Sequence, residues 1–331
     1  MTKHPVPSLV RRTLLGASAV LGLAASLGVS AQSAAYPDRQ VRLVLGFPPG
    51  GSTDIVARIV ADQWRKELKS PIVVENRAGA NATIGTHFVA QAAPDGYTLT
   101  LAGLSPLVMA PLLTTTPYDP RKSFDGISSV AFTPEVLAIN PKLSATSIKE
   151  LVELSKRRPV TISSSGNGGL PHLTIEQLKL KTGGNFLHVP YKGASPAVTD
   201  TMAGHVDAVV MDLPAVLQSI RNGTLKGIAT FHTERSSSLP DVATSVEQGY
   251  AELQAVNWHG IFAPAGTEAA KLDVLYRTLN AALNSAETRE KLLDAGFFPF
   301  TQPSRPEFAR YLDSEIKRWE SVIKASNIKI Q

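Results

Sequence analysis

The chain has 331 residues, of which 43% are hydrophobic, and a formal net charge of +5 at pH 7. It contains no cysteine, which excludes disulfide bonds, a thiol nucleophile and a lipid-modified N-terminal cysteine. Its basic residues are scattered, without a run that could follow a phosphate backbone, so we expect no nucleic acid partner.

Residues 1–34 have the pattern of an export signal. Lys3, Arg11 and Arg12 supply positive charge, an apolar run extends from Leu14 to Val29, and small residues follow at a cleavage site. A retained membrane anchor is the alternative, but small residues dominate the run. The paired arginines leave both Sec and twin-arginine export open. We expect a cleaved periplasmic protein without a lipid anchor, whose net charge is +2 once these three residues are lost.

The rest of the chain predicts an α/β protein. About 297 residues remain, more than one compact core usually holds, which indicates two domains. Strand and helix patterns alternate along them, which favours parallel βαβ units with helices on both faces of each sheet.

The stretch from Val41 to Arg58 predicts a strand, a Pro-Gly-Gly bend and a helix that opens on Ser52, Thr53 and Asp54 as N-cap residues. A glycine turn before a helix presents unpaired N–H groups and the positive end of the helix dipole, which suits an anion. The spacing approaches a phosphate-binding loop, but the lysine is missing, which argues against nucleoside triphosphates. A tight turn without a ligand is the alternative.

A second unit of this kind follows. The pattern first predicts strands over 71–75, 97–102 and 131–139, with a helix over 84–93. A helix over 148–157 and a strand over 160–163 then lead to a Gly/Ser turn at 164–169 and a helix over 171–181, where Pro171 suits the first helical position. Two such turns that face each other could hold one small anion between them.

The last third continues the alternation. Strands are predicted over 187–189, 206–211, 225–231 and 259–263, and helices over 195–203, 215–222, 245–249, 268–284 and 306–326. The glycine-rich turns all follow the carboxyl ends of strands, where open α/β sheets bind their ligands.

The sequence lacks the common metal-binding, catalytic and dinucleotide-binding motifs. Its seven histidines show no HxH or HExxH spacing, so we expect no metal site. It has neither a GxSxG nucleophile elbow nor a dinucleotide fingerprint, so we expect no catalytic residues and no cofactor.

Several motifs together resemble the extracytoplasmic solute receptors of tripartite tricarboxylate transporters, the Bug family. In chain order they are Phe47-Pro-Pro-Gly-Gly-Ser-Thr-Asp54 with Ala57-Arg58, Val74-Glu-Asn-Arg-Ala-Gly79, Ala93-Pro-Asp-Gly-Tyr-Thr-Leu99, Ser164-Ser-Gly-Asn167, His188-Val-Pro-Tyr-Lys-Gly193, Asp200 with Ala203-Gly204, and Trp258-His-Gly-Ile-Phe-Ala-Pro264. The resemblance covers essentially the whole chain after the export signal. One departure is the family's GAGG, which here reads Gly79-Ala80-Asn81-Ala82.

The resemblance implies a two-lobed Venus-flytrap fold of the type II periplasmic-binding-protein kind, with two doubly wound sheets. Lobe 1 would comprise residues 36–136 and 260–331, and lobe 2 residues 137–259. The chain would cross between them near Ile139 and near 258–261, which makes a hinge. In this family backbone amides, hydroxyls and ordered water hold the ligand carboxylate in the cleft between the lobes.

We therefore predict a ligand-binding set from the turns and the resemblance together. Its members are Phe47, Gly50, Gly51, Ser52, Thr53, Asp54, Ala80, Ser105, Ser164, Ser165, Gly166, Asn167, Tyr191 and Asp212. Three parts of this set have alternatives: Asp54 as a helix cap, the 164–167 segment as a plain turn, and Asp212 as a carboxylate bonded to neighbouring backbone instead of a ligand amine. Lys192 either attracts anions or is a solvated surface lysine.

The predicted function is that of a monomeric, non-enzymatic receptor. It would capture a small organic carboxylate and deliver it to the membrane subunits of a tripartite tricarboxylate-type transporter. Alternatives are a sensor subunit that presents its ligand to a two-component kinase, and a secreted α/β hydrolase. Monocarboxylates, dicarboxylates, aromatic acids and amino acids all remain open as ligands.

Overall fold

The computed structural model describes residues 1–2 and 36–326; the predicted export signal, at 1–34, lies almost entirely outside these described residues. The described residues form an α/β fold, as the alternation of patterns predicts. The strands are β1 (Val41–Leu45), β2 (Ile72–Asn76), β3 (Thr98–Gly103), β4 (Phe124–Ile139), β5 (Val160–Ser164), β6 (Phe186–Pro190), β7 (Ala208–Asp212), β8 (Lys226–Thr230), β9 (Val256–Pro264) and β10 (Phe298–Pro299).

Helices connect most of these strands. They are α1 (Ser52–Leu68), α2 (Thr83–Ala90), a π-helix (Ser105–Met109) that continues into α3 (Ala110–Leu113), α4 (Ile148–Arg157), α5 (Leu170–Thr182), α6 (Ala194–Ala203), α7 (Leu213–Arg221), α8 (Ala269–Asn284), α9 (Ala286–Asp294) and α10 (Arg305–Ser326). Within the described part of the chain, no helix is both long and apolar enough to cross a membrane.

The strands form one mixed sheet in the order β2-β1-β3-β9-β4-β7-β5-β6, with β8 and β10 also paired to β4. The pairs β1–β2, β1–β3, β5–β6 and β5–β7 are parallel, as βαβ units require. The pairs that involve β4 or β9 are antiparallel, so the predicted parallel βαβ units account for part of the sheet only. The long strand β4 pairs with β9 up to Pro134 and with β7 from Glu135 onward, which joins the two groups of parallel strands.

Helices pack on both faces of each parallel group. In the first group, Leu43 of β1 packs with Trp64 of α1 and Leu279 of α8, while the neighbouring Val44 belongs to the core with Phe308 of α10. In the second group, Val209 of β7 packs with α6 and α7, and the neighbouring residues pack against α4 and α5. This alternation follows from the period of two in a strand, and it confirms the doubly wound arrangement.

Several elements differ between the prediction and the structure. The helix predicted over 245–249 is wrong, because these residues form turns. Gly249 has φ +87°, which ends the segment after five residues, and five residues are too few for a stable helix. The helix α9 is missing from the prediction, although Ser285 caps it by accepting a hydrogen bond from the Thr288 N–H. A β-bulge between Gly126 and Ser128 interrupts the period of two, which explains why the first half of β4 also escapes prediction.

Candidate ligand-binding site

The first turn leads from β1 into the amino end of α1. Gly51 is the N-cap, without a side-chain cap, so Ser52, Thr53 and Asp54 form the first helical turn and their predicted role as N-caps is wrong. Gly50 has φ +85°, which only glycine adopts at little cost. The N–H groups of a first turn have no carbonyl partner within the helix. Since Gly51, Ser52 and Thr53 line a cavity, these donors lie at its wall.

Asp54 holds this turn together. Its Oδ2 accepts hydrogen bonds from the Gly50 N–H at 3.1 Å and from Arg58 at 2.9 Å, and its Oδ1 accepts from Arg58 and Asn76. Burial opposes its ionisation, but the hydrogen bonds from Arg58, Gly50 and Asn76 outweigh burial, and the pKa of Asp54 lies below its usual range. Both oxygens are thus engaged within the turn and with its neighbours.

The second turn follows β5 and leads into α5. The Ser164 hydroxyl donates to the Gly166 carbonyl oxygen at 3.0 Å, accepts from the Gly166 N–H and lies 2.6 Å from His188 Nε2. Gly166 and Gly168 have φ +145° and +75°, which allows the chain to fold back on itself here. The fully buried Ser164 therefore shapes the turn, while its neighbour Ser165 lines the cavities described below.

A stacked histidine pair lies beneath the second turn. The rings of His172 and His188 are 3.9 Å apart and nearly parallel, and His172 Nδ1 accepts a hydrogen bond from the Gly168 N–H at 3.0 Å. Burial and the neighbouring His172 lower the pKa of His188 to about 3, and burial lowers the pKa of His172 as well. Both rings are therefore neutral at physiological pH, and they support the turn as acceptors and apolar surfaces.

Three adjoining cavities lie among these turns. The Asp212 cavity has a volume of about 30 Å³ and is lined by Phe47, Pro48, Gly51, Ser52, Thr53, Ser105, Ser165, Pro171, Ala194, Met211, Asp212 and Asn257. The Lys192 cavity measures about 510 Å³ and is lined by Phe47, Pro48, Ala78, Gly79, Ala80, Asn81, Ala82, Ser165, Gly166, Tyr191, Lys192 and Gly193. The Asn167 cavity measures about 380 Å³ and is lined by Ala80, Asn81, Thr83, Ala110, Leu113, Thr114, Thr115, Thr116, Pro117, Asn167 and Gly168.

The structure brings most of the predicted ligand-binding residues to these cavities. Eleven of the fourteen line at least one of them; Gly50, Asp54 and Ser164 do not line these three. Among the lining residues that the prediction missed is Asn257, whose only signal in the sequence is its place directly before the Trp258 motif. Assignment of the whole set to ligand binding stays a prediction.

A buried polar network surrounds Asp212 at the end of β7. The carboxylate accepts a short hydrogen bond from the Ser52 hydroxyl and two from Asn257 Nδ2, at 3.0 and 3.2 Å. Glu135 lies opposite Asp212 in the register of β4 and β7. Burial, and then the negative charge of Asp212, raises the pKa of Glu135 well above its usual range. The Glu135 carboxyl group is therefore neutral at pH 7.

His259 completes this network from β9. Its Nε2 lies 3.5 Å from Thr53 Oγ1, and its ring packs edge-to-face on Phe297. Burial lowers the pKa of His259 to about 4, against the opposing effect of Asp212, so the ring is neutral. Within the described part of the chain, no group of three or more His, Asp or Glu side chains is placed to hold a metal ion.

Tyr191 and Lys192 lie at the edge of the Lys192 cavity. The Tyr191 hydroxyl donates to Asp200 Oδ2 at 2.7 Å, and this bond and burial raise the pKa of Tyr191 to about 12. The Lys192 side chain is exposed, and the described residues give it no ion pair. It is therefore available as a positive charge at this cavity.

Comparison with known proteins gives consistent matches. The family model described as tripartite tricarboxylate transporter family receptor matches residues 56–328 of this chain. Protein BugT of Bordetella pertussis is 38% identical over 321 residues, which cover 95% of this chain and 98% of that protein.

Two solved structures share both fold and sequence. The periplasmic binding protein BugD is 33% identical with a TM-score of 0.84, over 89% of this chain and 100% of that one. Rpa4515 of R. palustris, solved with adipate, is 30% identical with a TM-score of 0.85, over 89% of this chain and 99% of that one.

Proposed function

Since this chain belongs to the tripartite tricarboxylate transporter family of receptors, we propose that it captures a small organic carboxylate and delivers it to the membrane subunits of such a transporter. The family consists of solute receptors, and we propose that this member likewise catalyses no reaction. We further propose that residues 1–34 direct its export and that it works in the periplasm.

The juxtaposition of the two turns supports this proposal most directly. The amino end of α1 and Ser165 of the second turn line the same cavity, so donors from both meet at one place. The positive end of a helix dipole and unpaired N–H groups favour a negative ligand there. In the related Rpa4515 structure the bound molecule is adipate, a dicarboxylate.

The expected affinity follows from a small number of hydrogen bonds. Each bond from a neutral donor to a carboxylate contributes roughly 1.5–3 kcal/mol. Four or five of them, less the cost of association, reach about −8 kcal/mol, which corresponds to a micromolar dissociation constant. No covalent step is required.

The proposed movement is closure of two lobes, residues 36–136 with 260–331 and residues 137–259. Contacts that join them support it: the Ser195 hydroxyl donates to the Pro49 carbonyl oxygen at 3.2 Å, and the Leu170 N–H donates to Ser105 Oγ at 3.4 Å. These contacts lie beside the cavities, so a ligand there would touch both lobes and favour their closed arrangement.

A ligand screen followed by titration tests the proposal. Organic acids that raise the melting temperature bind the folded state. The best of them is then titrated calorimetrically into the wild type, the double variant S164A/S165A, and the exposed control S314A/S321A. We expect at least about a tenfold loss of affinity in S164A/S165A and none in S314A/S321A. Equal affinity in all three proteins would remove the second turn from the site, and a screen without any binding acid would contradict the function.

A further inference from the structure

The charge around the Asp212 cavity is unusual for a site that takes an anion. Among the described residues that line it, Asp212 is the one ionisable side chain, and neither lysine nor arginine is present. The donors in its wall are the amino end of α1 and serine and threonine hydroxyls. A second carboxylate brought to this cavity would meet a negative charge instead of a partner.

Asp212 itself is a buried carboxylate without a cationic partner. It is 7% exposed, and its hydrogen-bond partners are the hydroxyl of Ser52, the amide nitrogen of Asn257 and the carboxyl group of Glu135. All three partners are uncharged, so they do not balance the negative charge of Asp212. Burial of a charge is costly unless it is paired, so a cationic donor at this group would be favourable.

Asn257 provides an independent sign of a missing donor. It lines the same cavity and is 9% exposed; its amide nitrogen is committed to Asp212, and its Oδ1 has no hydrogen-bond partner among the described residues. Buried polar atoms are usually paired. Asn257 Oδ1 is therefore a buried acceptor without a donor, in a residue that is bonded to Asp212.

The neighbouring titratable groups do not supply the missing positive charge. Glu135, opposite in the register, is neutral because burial and Asp212 raise its pKa, and its carboxyl group is hydrogen-bonded to Asp212. His259 is neutral as well, because burial lowers its pKa to about 4. The cluster thus keeps one negative charge, on Asp212, without a cation from the protein.

We propose that Asp212 determines the ligand class: this receptor prefers a carboxylate that also carries an ammonium or hydroxyl group, which donates to Asp212 while the carboxylate lies against the backbone donors of the two turns. The inference rests on the proposed function and narrows it. The main alternative is that Asp212 only fastens Ser52 of α1 to β7 and leaves ligand choice to other residues.

Matched acids that differ in one donor group distinguish these two roles. Three series share a carbon skeleton each: succinate, L-malate and L-aspartate; adipate and L-2-aminoadipate; 3-phenylpropanoate and L-phenylalanine. Dissociation constants are measured calorimetrically for the wild type, the isosteric variant D212N and the exposed control D241N. D212N keeps an acceptor for Ser52 but removes the charge.

In the series whose carbon skeleton the receptor binds, we expect the acid with an ammonium or hydroxyl group to bind the wild type and D241N at least about tenfold more tightly than the acid without one. In D212N we expect this ratio to fall to about threefold or less. If D212N does not fold, as judged by circular dichroism, D212S provides the same comparison.

Other outcomes overturn the inference. Plain acids that bind the wild type as tightly as their donor-bearing partners contradict it, whatever the variants do, and leave the proposed function standing. A preference that D212N retains assigns selection to other residues. If no acid of any series or of the wider screen binds, the proposed function fails, and the inference fails with it.

Discussion

Glu135 and Asp212 show how one strand pairing can change the chemistry of a side chain. Their positions oppose each other across β4 and β7, and both residues are buried. Burial disfavours the ionised form of Glu135, and two ionised carboxylates this close together would also repel each other, so Glu135 keeps its proton. The unfolded chain releases that proton near pH 4.5, and the folded protein therefore loses stability as pH rises above this value.

We predict that E135Q stabilises the protein at pH 7. Glutamine has the shape of a protonated glutamate but holds no proton that the unfolded chain would release. The gain is about 1.4 kcal/mol for each pH unit above 4.5, the value in the unfolded chain, for as long as Glu135 stays protonated, and it disappears below about pH 4. Urea unfolding at pH 7.5 and pH 4 measures it, with the exposed E268Q as control. An E135Q protein less stable than wild type at pH 7.5 would contradict the prediction.

At the scale of elements, the loop between β2 and α2 is the most strained segment described. Ala80, Asn81 and Ala82 follow one another with φ +45°, +52° and +72°. A non-glycine residue in this conformation costs roughly 1–2 kcal/mol. Asn81 and Ala82 are the positions at which the sequence departs from the glycine-rich family pattern, and the loop lines two of the three cavities.

We predict that A80G stabilises the protein by up to about 1 kcal/mol. Ala80 is exposed, so loss of its methyl group removes little packing, whereas glycine relieves the left-handed strain. The matched control is A78G, at an exposed alanine of the same loop without a positive φ, which we expect to destabilise slightly. Melting temperatures of both variants decide the matter: equal shifts for A78G and A80G would refute the strain argument.

Elements with strong local signals are predictable from the sequence. The bounds of α4 agree with the prediction because Ser147 caps it, accepting from the Glu150 N–H, and apolar residues recur at helical spacing. The partners of β4 and β9 are not predictable in this way. Their antiparallel pairing joins segments about 130 residues apart, and no local pattern encodes that register.

For the molecule as a whole, the pH dependence of stability is set by buried neutral histidines as well as by Glu135. Burial lowers the pKa of His259 to about 4 and that of His188 to about 3, below the ordinary value near 6.5. Below pH 6.5 the unfolded chain binds protons that the folded protein does not, so stability falls as pH decreases through this range.

We predict that His259 alone lowers the stability by about 2 kcal/mol between pH 7 and pH 5. The variant H259Q should lose correspondingly less over this interval, because glutamine takes up no proton. Urea midpoints at the two pH values measure the difference, with the exposed H205Q as control. A loss in H259Q as large as that of the wild type would contradict the assignment to His259.

The amino-acid sequence by itself determined the α/β class, both glycine turns and most residues of the candidate site, because caps, turn residues and hydrophobic period act over a few neighbours. Only the tertiary structure decided what those residues do locally. It engaged Asp54 and Ser164 within their own turns, and it brought Glu135, Asn257 and His259 around Asp212. The physical reason is that the burial of a side chain and its hydrogen-bond partners depend on strands that are distant in the chain. Burial and hydrogen-bond partners in turn set the charge of the site and the acceptors that it leaves unpaired.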